Sequence, residues 1–118
     1  MITVKNKHKS KPEKNDIYIG RGSILGNPFT HLDLNKTKAE FHCKTREESI
    51  ESFEKYLTDK INSKDPKICS ELNRIYLMAL KQDINLVCFC KPKSCHGDIL
   101  KKIIETKIHN LSNFSFDY

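Results

Sequence analysis

The stretch Ile84-Asn85-Leu86-Val87-Cys88-Phe89-Cys90-Lys91-Pro92-Lys93-Ser94-Cys95-His96-Gly97-Asp98-Ile99-Leu100 changes character in its middle. Residues 84–90 are an apolar run of strand length. Strand side chains alternate, so Leu86, Cys88 and Cys90 share one face and Val87 and Phe89 the other. Beyond Pro92 the pattern becomes helical, with Ser94 placed as N-cap and Asp98 in the first turn, where the helix dipole favours a carboxylate. Ile99 and Ile103, and Leu100, Ile104 and Ile108, then recur at four-residue spacing. A strand that runs into a helix is an α/β signature, and ligands of open α/β sheets bind at that strand end.

Upstream, two more helices are legible. Thr45-Arg46-Glu47-Glu48 reads as a capping box, followed by Ile50, Phe53, Leu57 and Ile61 on one face, which predicts a helix over 46–62. Asp65-Pro66 opens a second, with proline at the first helical position and Ile68, Leu72, Ile75 and Ala79 as its stripe, over 66–82. Cys69 lies beside that stripe as a small core residue. Residues 2–5 and Ile17-Tyr18-Ile19 read as short strands, separated by a polar loop containing Pro12. Residues 31–44 show little period and read as a loop, and the polar tail 110–118, with Phe114, Phe116 and Tyr118 alternating, reads as an edge strand or a flexible end.

With 118 residues the chain is one α/β domain. The expected architecture is a small Rossmann-like sheet with flanking helices and a ligand site at the C-terminal ends of the strands. No apolar run has membrane-spanning length, and the N-terminus lacks the apolar core of a signal peptide, which predicts a cytoplasmic protein without membrane contact. Five cysteines in such a chain point to thiols, a metal site or a reactive cysteine ahead of a disulfide framework. The net charge is +6, and residues 1–15, with Lys5, Lys7, Lys9, Lys11 and Lys14 against Glu13, carry +4 of it. That basic segment is either a solvated loop or a contact for nucleic-acid phosphates.

Two segments carry candidate chemistry. Gly20-Arg21-Gly22-Ser23-Ile24-Leu25-Gly26-Asn27-Pro28 has three glycines in seven residues. Its G-x-G-x-x-x-G spacing and Asn27-Pro28 turn exclude the dinucleotide fingerprint, which needs G-x-G-x-x-G running into a helix. What remains is either a tight structural turn or an anion cradle of backbone N–H groups with Arg21, Ser23 and Asn27. The second segment is Cys88, Cys90, Cys95 and His96. Three readings are open. Cys95, in the first turn of a helix, is a reactive thiol with His96 and Asp98 as acid–base partners. Alternatively Cys88, Cys90, Cys95 and His96 hold zinc, although C-x-C-x4-C-H is poor ligand spacing and distant residues such as His42 and Cys43 would then contribute. In the third, these are small core and helix-start residues.

Together, residues 17–23, Gly26-Asn27-Pro28-Phe29, Cys88-Phe89-Cys90-Lys91-Pro92 and Cys95-His96-Gly97-Asp98-Ile99-Leu100 resemble an uncharacterised phage and bacterial family catalogued as domain of unknown function 4326. The resemblance spans residues 17–104. It departs at Leu25, where the family often has an aromatic residue, and at Lys81-Gln82-Asp83, where it often has a Gly-Lys turn. It implies a small α/β domain of phage or mobile-element origin and supplies no reaction. It also implies that the glycine loop and the Cys-His-Gly-Asp turn wall one pocket. The expected ligand is a nucleotide, nucleoside or other phosphate-bearing small molecule, held by Gly20, Arg21, Gly22, Ser23, Gly26, Asn27, Cys90 and Gly97. Cys95, His96 and Asp98 are the candidate catalytic residues of a hydrolase or transferase that needs no redox cofactor. A non-catalytic nucleotide-sequestering protein and a zinc-stabilised interaction module are the alternatives.

Overall fold

The computed structural model describes residues 1–30, 41–42, 44–88 and 95–109. Among these the elements run β1 (Ile2–Asn6), β2 (Asp16–Tyr18), β3 (Phe29–Thr30), β4 (Phe41–His42), α1 (Arg46–Asn62), α2 (Pro66–Lys81), β5 (Ile84–Cys88) and α3 (His96–His109). The first two helices start where local chemistry starts them. Thr45 accepts a hydrogen bond from the Glu48 N–H, and Asp65 accepts from the Ile68 N–H with Pro66 behind it. α3 begins at His96, so Cys95 occupies its N-cap position, while Ser94 lies outside the described residues.

β1, β5 and β2 form a parallel sheet in that order, and β3 pairs with β4, also parallel. In parallel strands, residues in register point the same way. Ile2, Val4 and Asn6 stand beside Ile84, Leu86 and Cys88, and Ile17 beside Leu86, so these residues make one face. The helices supply the other half of the core. Phe53 and Leu57 of α1, Ile68, Leu72 and Ile75 of α2, and Leu100 and Ile104 of α3 join Ile2, Ile17, Ile84 and Leu86 in one buried cluster.

The opposite face carries Thr3, Lys5, Asp16, Tyr18, Asn85 and Val87. Among the described residues it is covered by the loop between β1 and β2 and by no helix. The Lys5 ammonium, 12% exposed, donates to the Lys11 carbonyl and the Glu13 carboxylate and pairs with Asp16 at 2.7 Å. Asn85 donates to Asp16 at 3.0 Å and to Asn15 at 3.3 Å. The polar loop thus replaces a second helical layer through charge-assisted hydrogen bonds.

This ion pair sets a pH dependence. Burial pushes the Asp16 carboxyl up, but hydrogen bonds from Lys5, the Glu13 N–H and Asn85 outweigh it and hold the group below its usual 3.8. The bond to Asp16 raises the Lys5 ammonium above 10.5 against burial, with Glu13 acting in the same direction. A depressed carboxyl contributes stability that is present above its unfolded value and lost as pH falls through the folded one. A raised ammonium contributes below 10.5 and loses its contribution as pH rises through its folded value. The stability gap between wild type and Asp16→Asn, measured by urea denaturation, is therefore expected to be widest near neutrality and to close below about pH 4. A gap that stays constant down to pH 2 would show that the pair is not formed in solution.

Candidate functional site

Because β2 and β5 are parallel neighbours, their C-terminal ends lie at the same edge of the sheet. β2 hands on through Ile19, whose N–H still bonds the Val87 carbonyl at 3.0 Å, to the glycine loop. β5 spans Ile84–Cys88, and the described residues resume at Cys95. The two segments meet. His96 Nε2 lies 2.6 Å from the Ile19 carbonyl oxygen. A carbonyl only accepts, so Nε2 carries the proton there. The imidazole is 7% exposed and stands edge-on to Phe53, ring centroids 5.1 Å apart. The helix docks with its backbone close. A Cβ on Gly97 would stand 2.8 Å from Val4 Cγ1 and 2.9 Å from Ile19 Cδ1.

Cys95 Sγ is 3.3 Å from Cys88 Sγ, both thiols buried on the helix side of the edge. Asp98 Oδ2 accepts from the Cys95 backbone N–H at 3.2 Å, the reciprocal half of a capping box, which gives Asp98 a structural task at the start of α3.

The glycine loop is wound into two consecutive turns. Ser23 N–H and Ser23 Oγ both donate to the Gly20 carbonyl, at 3.1 and 2.6 Å, and Gly26 N–H donates to the Ser23 carbonyl at 3.1 Å. Gly22 has φ +95°, a conformation that favours glycine. The loop is tied to α1 by a polar network. Arg21 Nη2 donates to the Phe29 carbonyl at 2.6 Å, and Ser49 Oγ donates to the same carbonyl at 3.0 Å. Asn27 Nδ2 donates to Ser49 Oγ at 2.9 Å, while Asn27 Oδ1 accepts from the Phe29 N–H at 2.9 Å. The buried Asn27 amide thus anchors the loop from inside. Ser23 thus bonds within the loop, and Arg21 ties the loop to β3.

Of the four zinc-ligand candidates, Cys88 and Cys95 come together, His96 turns Nε2 to Ile19, and Cys90 lies outside the described residues, as do Cys43 and the His42 side chain. Among the described residues no three metal-binding side chains converge. No helix there is long and apolar enough to cross a membrane.

A family model described as a domain of unknown function, DUF4326, matches residues 2–106, from β1 into α3 and across both loops. The chain belongs to the DUF4326 family. This DUF4326 chain is 35% identical over 104 residues to an uncharacterized 12.4 kDa protein of Enterobacteria phage T4 from the nrdA-td intergenic region. The alignment spans 88% of the chain and 78% of the phage protein. No solved structure matches it.

Two residues of the DUF4326 edge escaped the sequence reading. Ser49 sits four residues before Phe53 and eight before Leu57, and a polar residue on an apolar stripe was the available signal. Asn6 follows Ile2 and Val4 at strand period and ends β1 buried beside Cys88, its Oδ1 accepting from the His8 N–H at 2.8 Å. The burial of Cys95 also changes one expectation. A thiol at a helix start reads as quick to alkylate, but Cys95 is 2% exposed and Cys69 is fully buried. Access limits the attack as much as thiolate fraction does. Slow alkylation of both thiols in the folded protein is the expected result, read by peptide mass mapping with urea-unfolded protein as reference. Rapid labelling of Cys95 alone would show that the edge opens.

Proposed function

We propose that this DUF4326 domain is a Rossmann-like, cytoplasmic nucleotide- or nucleoside-recognising protein of phage or mobile-element origin. In this reading the ligand sits at the C-terminal ends of β2 and β5. One observation carries it: the parallel register of β2 and β5 brings the glycine loop and the Cys95–Asp98 turn to one edge, where the His96–Ile19 bond joins them. Arg21, on the half-buried rim of the glycine loop, is the partner for the phosphate. Gly20, Gly22, Ser23 and Gly26 shape the turn beneath it, Asn27 holds the turn to α1, and Gly97 keeps α3 close.

The buried Cys95 and the engaged His96 support recognition ahead of turnover. Hydrolase or transferase action is the second reading, favoured by the placement of Cys95 at the α3 N-cap beside Asp98. A thermal-shift panel of nucleotides and nucleosides tests recognition. A ligand that binds only the folded chain stabilises it by about 2.7 kcal/mol at a hundredfold excess over Kd. Failure of every nucleotide to raise the melting temperature would overturn the proposal. Product analysis after prolonged incubation with the stabilising compound separates capture from turnover.

Arg21→Ala is expected to abolish that shift while costing only about 1.5–3 kcal/mol of stability, the contribution of one charge-assisted hydrogen bond to the Phe29 carbonyl. Arg21→Lys keeps the charge without the planar fork and should recover only part of the binding. An unchanged ligand shift in Arg21→Ala would place the phosphate elsewhere.

A further inference from the structure

The basic segment of residues 1–15 does not enter the proposed nucleotide edge. It lies over the opposite face of the sheet, where it forms a pocket of about 170 Å³. The walls are Lys7, Ser10, Pro12 and Tyr18, the floor Val87, with the Lys5–Asp16 pair at the back. Tyr18 is 38% exposed, and the Lys7 ammonium stands over the face of its ring, 5.2 Å from the centroid.

The charge on this loop divides in two. Lys5 is neutralised by Asp16 and Glu13 and holds the loop to the sheet. Lys7, Lys9, Lys11 and Lys14 are exposed, and among the described residues none of them stands in an ion pair with a carboxylate. Lys7 thus lines a pocket with an exposed aromatic residue, and Lys9, Lys11 and Lys14 add exposed charge on the same β1–β2 loop.

We infer that this face binds single-stranded nucleic acid, one base entering the pocket against Tyr18 and the adjoining phosphates running along Lys7, Lys9, Lys11 and Lys14. Stacking on an aromatic ring beside a positive track is how sequence-tolerant single-strand sites are built. A duplex hides the faces of its bases within the stack and offers the pocket nothing to hold. The Tyr18 hydroxyl donates to the Arg21 carbonyl at 2.9 Å.

The test is fluorescence anisotropy of the full chain with a labelled 12-nucleotide deoxythymidine strand and with a duplex of equal length. The single strand is expected to bind at least tenfold more tightly than the duplex. The logarithm of affinity should fall with the logarithm of salt with a slope of about −3, four ammonium groups at roughly 0.7 each. Tyr18→Leu should weaken single-strand binding about tenfold or more, and Tyr18→Phe should retain it. Lys7→Gln, an exposed change that leaves the core untouched, should make the slope shallower by about 0.7. Arg21→Ala and saturating mononucleotide should leave the strand bound, which separates this site from the sheet edge proposed above. Absence of strand binding, equal affinity for duplex, or indifference to both Tyr18→Leu and Lys7→Gln would each overturn the inference.

Discussion

His96→Ala is expected to lower the unfolding free energy by roughly 1.5–4.5 kcal/mol. The Ile19 carbonyl would lose the donor that meets it at 2.6 Å and stay buried, at a cost of about 1–3 kcal/mol. The edge-on contact with Phe53 contributes about 0.5–1.5 kcal/mol more. For a domain stable by about 5–15 kcal/mol this is a large fraction of the total. Urea titration should show a lower midpoint with an unchanged slope, as for a loss of stability without a change in the surface exposed. His96→Gln puts an amide N–H in reach of the carbonyl without the ring and should recover part of the loss. A cost below about 1 kcal/mol for His96→Ala, too little for a buried acceptor left bare, would mean that the bond between α3 and the end of β2 is not made. The two loops would then not be joined at the edge.

Gly26→Ala is expected to cost about 2–3 kcal/mol, at the upper end of the range for overpacking. A Cβ there would stand 2.8 Å from the Gly20 carbonyl oxygen and 3.0 Å from Arg21 Cα. Both are backbone atoms of the facing turn, so no side-chain rotation relieves the clash and the loop itself must open. Gly22→Ala is the control. Nothing lies within 4 Å of its Cβ position, and its cost is the backbone strain of φ +95°, about 1–2 kcal/mol. If the glycine loop is the phosphate-binding wall, Gly26→Ala should lose the nucleotide-induced thermal shift even where the variant remains folded. Near-equal stability of Gly26→Ala and wild type would show that the two turns do not close on each other.

Residue types make this edge stand out in the sequence, but not the partners that each side chain takes within the fold. The glycines, Arg21, Asn27, Cys95, His96 and Asp98 stand out by composition and position, and the structure does gather them at one sheet edge. Asn27 reads as a ligand contact because it follows glycines, whereas its amide is spent on Ser49 and Phe29. Asp98 reads as an acid or base, whereas its carboxylate caps Cys95. An amide or carboxylate looks the same in a sequence whether its partner is a ligand or a group of the fold, and Ser49, one of the two partners of Asn27, is 22 residues away.

The sequence by itself determined the helices and the strand-to-helix crossing. Their causes are local: Thr45 with Glu48, Asp65 with Pro66, and apolar stripes at helical spacing all act within a few residues. What no local stretch contains is the strand order β1-β5-β2, the packing of α1, α2 and α3 on one face of that sheet, and the fastening of His96 to Ile19 across 77 residues. The order depends on which apolar face buries most against α1, α2 and α3 together, a property of the whole core that no window of the chain contains. The same holds for the loop over the far face. Its lysines are readable as charge, but the choice of Lys5 as its anchor follows from the register that sets Lys5 and Asp16 on either side of β5.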